Sequence, residues 1–207
     1  MKINFTLPED QLVHEFCTNP ECNAEAVESV VRGDRSFFRC NVCQNESERR
    51  IVIDPDRIHW VDPVTKELWH ESVGVFIFNS NGDLLLFERT TWPYLYTIPA
   101  GHLRNGETAL RGAILEVIEE TGIVAEKLDL LLEADLTGDI CVYGSDNHHY
   151  HLFKTRVNND VEVNIKYEGK NPIWVNYQEA MELDTIYPIK FILQKFGDSL
   201  FKGITEK

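Results

Sequence analysis

Two stretches of this chain are apolar almost without interruption. VGVFIFN (73–79) and DLLLFER (83–89) are separated by Ser80-Asn81-Gly82. Asn-Gly between β-rich runs is a strong hairpin signal, and runs apolar on both faces predict strands covered from both sides. Shorter, more polar β-rich runs come earlier. VESVVR (27–32) and RSFFRC (35–40) flank Gly33-Asp34, which predicts a second hairpin, with ERRIVI (48–53) as its third strand. A strand is expected at 98–103, and a helical pattern follows at 107–121. At about 100° per residue, Leu110, Ala113, Ile114, Val117 and Ile118 share one helix face, and Glu116, Glu119 and Glu120 share another. Gly122 is placed for a left-handed cap, with Ile123 behind it, and Glu107 complements the helix dipole. Further strands are expected near 129–136, 149–156 and 172–176, and short helices near 177–183 and 188–196. Elements mixed in this way around one central helix predict an α/β sandwich.

The polar stretch 53–63 holds two prolines and reads as a linker. The chain therefore divides into a small module at 1–53, a connection at 54–71 and a larger domain at 72–200. The composition is that of a globular protein, with 43% hydrophobic and 26% charged residues. No run approaches the roughly 18 uncharged apolar residues of a membrane span. The start carries no secretory pattern, so the cytoplasm is expected. The net charge of -14 repels polyanions, so a phosphate-handling site needs local arginines, a metal ion, or both.

Four of the five cysteines fall in the first module. Cys17 and Cys22 enclose four residues, Cys40 and Cys43 enclose two, and a hairpin lies between the pairs. That spacing suits a tetrahedral zinc site with four thiolates, structural because no position stays open. Zinc could supply on the order of 10 kcal/mol to a module with little core of its own. Disulfides are the alternative and fit a cytoplasmic chain poorly. Arg32, Arg35, Arg39, Arg49 and Arg50, with Phe37 and Phe38 among them, could grip a single nucleic-acid strand. Six acidic residues dilute that field, and a domain or dimer contact is the favoured reading of this surface. Cys141 stands alone and reads as an ordinary buried thiol.

Three carboxylates at i, i+3 and i+4 repel one another and lie near the end of the helix whose dipole disfavours anions. A hard divalent cation removes the conflict. The segment resembles the Nudix box: Gly101, Glu107, Glu116, Val117, Glu119, Glu120, Gly122 and Ile123 match its pattern in register. The resemblance implies a Nudix α/β/α sandwich and an Mg²⁺- or Mn²⁺-dependent hydrolase that cleaves the pyrophosphate of a nucleoside diphosphate linked to another group. It implies catalytic roles for Glu116, Glu119 and Glu107. Metal ligation falls to Ala100 (through its carbonyl), Glu116, Glu119 and Glu120. A further acid from a later loop is assigned to Glu168, with Glu162 as the alternative. Leu115 stands where the box has an arginine. That departure motivates a second reading, a non-catalytic Nudix module that senses a nucleotide, or a regulator contacting nucleic acid or protein through the zinc ribbon. A four-cysteine ribbon before such a domain is also similar to the NADH pyrophosphatase arrangement, although that family's signature after the box is absent here.

Trp92, Tyr94 and Tyr96 precede the box and could stack on a base, and Arg104 could reach phosphate. Among 148–151, His149 and His151 share one strand face while His148 and Tyr150 share the other. The expected partner is a small nucleotide. A homodimer is compatible with the family.

Overall fold

The computed structural model describes residues 1–166 and 168–205, and their side chains except those of 198 and 202–205. The N-terminal part contains β1 (His14–Phe16), β2 (Val27–Arg32), β3 (Arg35–Cys40), β4 (Glu46–Ser47) and β5 (Ile51–Ile53). The hairpin β2–β3 forms where expected, and Gly33 turns it at φ 64°. Its third strand is β4 and not ERRIVI: β5 instead pairs with β1. The reason is burial. Ile51, Val52 and Ile53 are all covered, and no strand of the exposed hairpin sheet offers such cover.

The stretch read as a linker carries β6 (His59–Val61), which pairs with β7 (Leu68–Phe78). Next come β8 (Leu84–Arg89), β9 (Tyr96–Thr97), β10 (Ala100–His102), α1 (Ala109–Thr121), β11 (Asp129–Thr137), β12 (Asn147–Arg156), β13 (Gly169–Val175), α2 (Tyr177–Glu182) and α3 (Tyr187–Thr205). The main sheet runs β11-β12-β7-β8-β13, with β6 and β10 on β7 and β9 on β8. β12 lies parallel to β7, and the other pairs are antiparallel.

Alternation along β7 explains the layers. Val73, Val75 and Ile77 pack with Ala113 and Val117 of α1. Phe76 and Phe78 face the other way, onto Ile189, Ile192 and Leu193 of α3. A sheet with helices on both faces buries both sides of its central strands, which is why they read as unbroken apolar runs. A third cluster joins Ile3, Phe16, Ile51 and Ile53 to Leu68, so the N-terminal part shares a core with the start of β7.

Helix α1 has Thr108 as its N-cap and Gly122, at φ 72°, as its left-handed C-cap. Glu107 therefore precedes the cap, and its carboxylate accepts from Arg104 N at 3.4 Å. The apolar face differs from the wheel. Gly112, Ala113, Val117 and Thr121 are buried, while Leu110 and Ile114 are exposed. The helix lies close on its small residues: a side chain at Gly112 would strike Leu103. The opposite turn of the helix is left for the glutamates.

Candidate active site

The glutamates of α1 form the floor of a cleft of about 430 Å³, within the usual range for a small-molecule site. Glu116 and Glu119 line it, together with Glu168, just before β13, which is close enough to act on the Glu116 carboxyl. Glu120 lies behind, in an adjoining pocket with Glu116, Glu119 and Glu168. Its carboxylate accepts from the backbone N–H of Ala100 at 2.9 Å. The later acid brought to the cluster is thus Glu168. Glu162 is exposed and lines neither pocket.

Burial and crowding disfavour the charged form of Glu116 and Glu120. Burial, then Glu119 and Glu168, push the Glu116 carboxyl up to about 7, against the pull of Arg57 and Arg104. Burial and Glu116 push Glu120 well above the carboxylate range, and the Ala100 N–H and Arg89 only partly oppose this. Glu116 and Glu120 thus favour the protonated form, a preference that a divalent cation would replace. The donor set is all oxygen, as Mg²⁺ or Mn²⁺ needs.

Leu115 brings no charge to the helix, and the cationic side chains come from elsewhere. Arg57, Arg89 and Arg104 line the cleft and supply the positive charge. Arg89 donates to Thr91 Oγ1 at 3.2 Å, while its buried Nε makes no hydrogen bond among the described residues. Arg111 is exposed and is not part of the cleft. Sequence reasoning missed Arg57 and Arg89, because one lies in the segment read as a linker and the other ends a core strand.

The candidate substrate residues divide. Trp92, Tyr94 and Arg104 line the cleft. Tyr96 does not. It packs against the main core, and its hydroxyl donates to Glu88 at 3.2 Å. The wall facing the glutamates comes from the N-terminal part: Asp34, Ser36, Phe38, Glu48 and Arg50. Arg49 and Arg50 are mostly covered, while Arg32 and Arg35 stay exposed. Arg35 lies over Tyr94 at 5.0 Å, Arg49 over Trp92 at 5.2 Å and Arg50 over Phe38 at 4.2 Å. Arg32 and Arg39 instead pair with Glu46, so part of that surface's charge is neutralised on the hairpin itself.

The four N-terminal cysteines converge. Their sulfurs lie within 4.8 Å of one another, with Cys17–Cys43 at 3.6 Å and Cys22–Cys40 at 3.8 Å. All are free thiols, which removes the disulfide alternative. Thiolates about 2.3 Å from one tetrahedral ion stand roughly 3.8 Å apart, so the cluster is consistent with a small zinc site.

His149 and His151 share a face as expected, and each sits within hydrogen-bond distance of acidic side chains. His149 meets Asp135 at 2.7 Å, and His151 meets Glu71 at 2.7 Å and Glu133 at 2.9 Å. His148 is buried, beside Cys141.

Comparison with known proteins agrees with the geometry. The NUDIX domain model matches residues 68–194. An RNA pyrophosphohydrolase of Dinoroseobacter shibae is 28% identical over 146 residues, 62% of this chain and 89% of that protein. An isopentenyl-diphosphate Delta-isomerase of Serratia proteamaculans is 30% identical over 132 residues, 60% of this chain and 71% of that protein. The NUDIX domain of Shewanella oneidensis NrtR, solved with ADP ribose, shares the fold at a TM-score of 0.56 and 13% identity, covering 67% of this chain and 93% of that one. The described residues contain no helix long and apolar enough to cross a membrane. With the box residues in register and the family model matching more than half of its length, the chain belongs to the NUDIX domain family.

Proposed function

We propose that this chain is a divalent-metal-dependent pyrophosphohydrolase acting on a nucleoside diphosphate linked to another group, such as ADP-ribose, a dinucleotide or a nucleotide sugar. The observation that carries this reading is the convergence of Glu116, Glu119 and Glu168 in a cleft that Trp92, Tyr94 and Arg50 also line. Carboxylates suit the metal, and aromatic faces with arginines suit a base and its phosphates.

Glu116, Glu119, Glu120 and Glu168 would hold Mg²⁺ or Mn²⁺ together with the Ala100 carbonyl. When bound, the ion supplies charge neutralisation at the pyrophosphate and acidifies a water. Glu119 orients the attacking water and takes its proton. Glu107, held near Arg104 N, steadies the start of the helix. Arg57, Arg89 and Arg104 neutralise the phosphate oxygens as charge develops. Trp92 and Tyr94 stack on the base and set its distance from the glutamates. Residues 1–53 act as a zinc ribbon that closes the cleft, 54–71 as a connection and 72–200 as the catalytic domain. A reducing, cytoplasmic setting fits the free thiols.

The test is incubation with Mg²⁺ or Mn²⁺ and a panel of ADP-ribose, dinucleotides, nucleotide sugars, 5′-triphosphorylated RNA and isopentenyl diphosphate, with Glu120→Gln in parallel. Product masses identify the broken bond. Cleavage that the substitution abolishes supports the reading. Nucleotide binding without turnover across the panel would favour the sensing role that Leu115 motivates. Isomerisation without cleavage would replace it with diphosphate-ester chemistry.

A further inference from the structure

Four side chains unused by the hydrolase chemistry meet at the edge of the cleft. His70 lies in β7, His102 in β10, His148 in β12 and Cys141 in the loop between β11 and β12. The sheet brings them together. Parallel register places His148 beside His70, and β10 pairs across the other edge of β7, with His102 opposite Ser72. One ligand atom from each of the four lies within 4.8 Å of all the others.

Cys141 Sγ is 3.6 Å from His70 Nδ1. For a tetrahedral ion with metal–nitrogen near 2.0 Å and metal–sulfur near 2.3 Å, that edge is about 3.5 Å. His70 meets the rings of His102 and His148 edge-on, at 4.5 and 5.6 Å between centroids. His148 Nδ1 is 2.9 Å from the buried carboxylate of Asp139. A carboxylate on one nitrogen of an imidazole is the usual companion of a metal-bound histidine, because it fixes the ring and raises its basicity. A nucleophilic cysteine needs one base, and three imidazoles around one thiol exceed that need. Nitrogen and sulfur donors also separate this cluster from the all-oxygen site on α1 by the class of cation each selects.

We propose that His70, His102, Cys141 and His148 form a second transition-metal site, of the zinc class, distinct from the four-cysteine cluster and from the carboxylate site. Four protein ligands close the coordination sphere, so the site is structural. It pins the loop 138–146 to the sheet. That loop is the seat of the N-terminal part. Val142 O accepts from Arg50 N and Tyr143 O from Val52 N, each at 3.1 Å. Cys141 O and Ser145 O each accept from the Arg49 guanidinium at 2.8 Å. The metal therefore holds the wall that closes the cleft.

The test is metal content of the full chain, purified without chelator, by mass spectrometry, for wild type, Cys141→Ser and Cys40→Ser. The expected result is loss of one equivalent of zinc in Cys141→Ser, and loss of a different equivalent in Cys40→Ser. X-ray absorption at the zinc edge of the wild type needs no variant to fold, and should show imidazole together with sulfur ligation. Backbone amide exchange should rise at 50–52 and 138–146 in Cys141→Ser. Zinc content unchanged by Cys141→Ser, or an edge spectrum of sulfur ligation alone, overturns the proposal.

Discussion

Gly101 leaves the space that the Glu116 carboxylate occupies: a Cβ at position 101 would overlap that carboxylate. The glycine that opens the box is thus a requirement of packing, set by a side chain on the helix that follows. Gly101→Ala should move Glu116 by about an ångström. Misplacement on that scale costs roughly 100-fold in turnover. Steady-state kinetics should show the loss in kcat, while circular dichroism keeps the wild-type fold.

Glu116 and Glu120 set a pH dependence in the metal-free protein. Both carboxyls are raised in the folded state, Glu116 to about 7. Their contribution to stability is therefore fully present below the unfolded carboxylate range and is lost as pH rises through the folded values. Between about pH 5 and 8 the melting temperature without metal should fall through this contribution. Mg²⁺ should reverse the loss, by about 2.7 kcal/mol at 100 times its dissociation constant. In Glu120→Gln, differential scanning calorimetry should show a flatter pH profile and a smaller Mg²⁺ effect. Turnover should fall by two to four orders of magnitude, roughly the scale of removing a charged group from the reacting centre. An unchanged Mg²⁺ shift would remove Glu120 from the metal site.

Arg89 lines the cleft and acts on Glu120, and under the proposed function it supplies charge that Leu115 does not. Arg89→Ala should lower kcat/KM by about tenfold to a hundredfold, as expected when a charged phosphate contact is lost. If the box arginine can do this work, Leu115→Arg should recover part of the loss in the double variant. Recovery is read from the four rate constants as a coupling energy.

The salt link between Arg49 and Asp146 ties the N-terminal part to the loop before β12 at 2.6 Å. Burial pushes the Asp146 carboxyl up, but the Met1 ammonium and Arg49 outweigh it and hold the group below the usual range. Its stabilisation is present above the unfolded value and is lost as pH falls through the folded one. Below about pH 4 the contact should loosen, and Asp146→Asn should remove that acid sensitivity. Arg49→Ala should destabilise the protein by about 2 kcal/mol, since it strips charged hydrogen bonds from two carbonyls and a carboxylate. Chemical denaturation would measure the loss, and limited proteolysis near residues 50–53 would locate it.

The local elements and the box were legible in the sequence because their causes are local. The apolar runs at 73–79 and 83–89, the Gly33 turn, the α1 span and the Gly122 cap follow from periodicity and backbone freedom within a few residues. The carboxylates at 116, 119 and 120 share a helix face by spacing alone. The pairing of β5 was not legible, because ERRIVI is equally β-prone beside the hairpin or beside β1, and only the covered seat next to Leu68 separates the two. The outward turn of Leu110 and Ile114 was not legible either. The helix packs through its smallest residues, and a hydrophobicity wheel weights the largest.

By itself the sequence determined the family, the helix that carries the glutamates and the four-cysteine cluster, because each is written in short-range spacing. Tertiary structure alone brought Glu168 beside Glu116, withdrew Tyr96 into the core and set Arg50 on the cleft. It also set His148 beside His70 across parallel strands and brought Cys141 to them. These are meetings of residues far apart in the chain. They depend on which strands pair, in which register, and on what burial each face demands, and no local spacing encodes that.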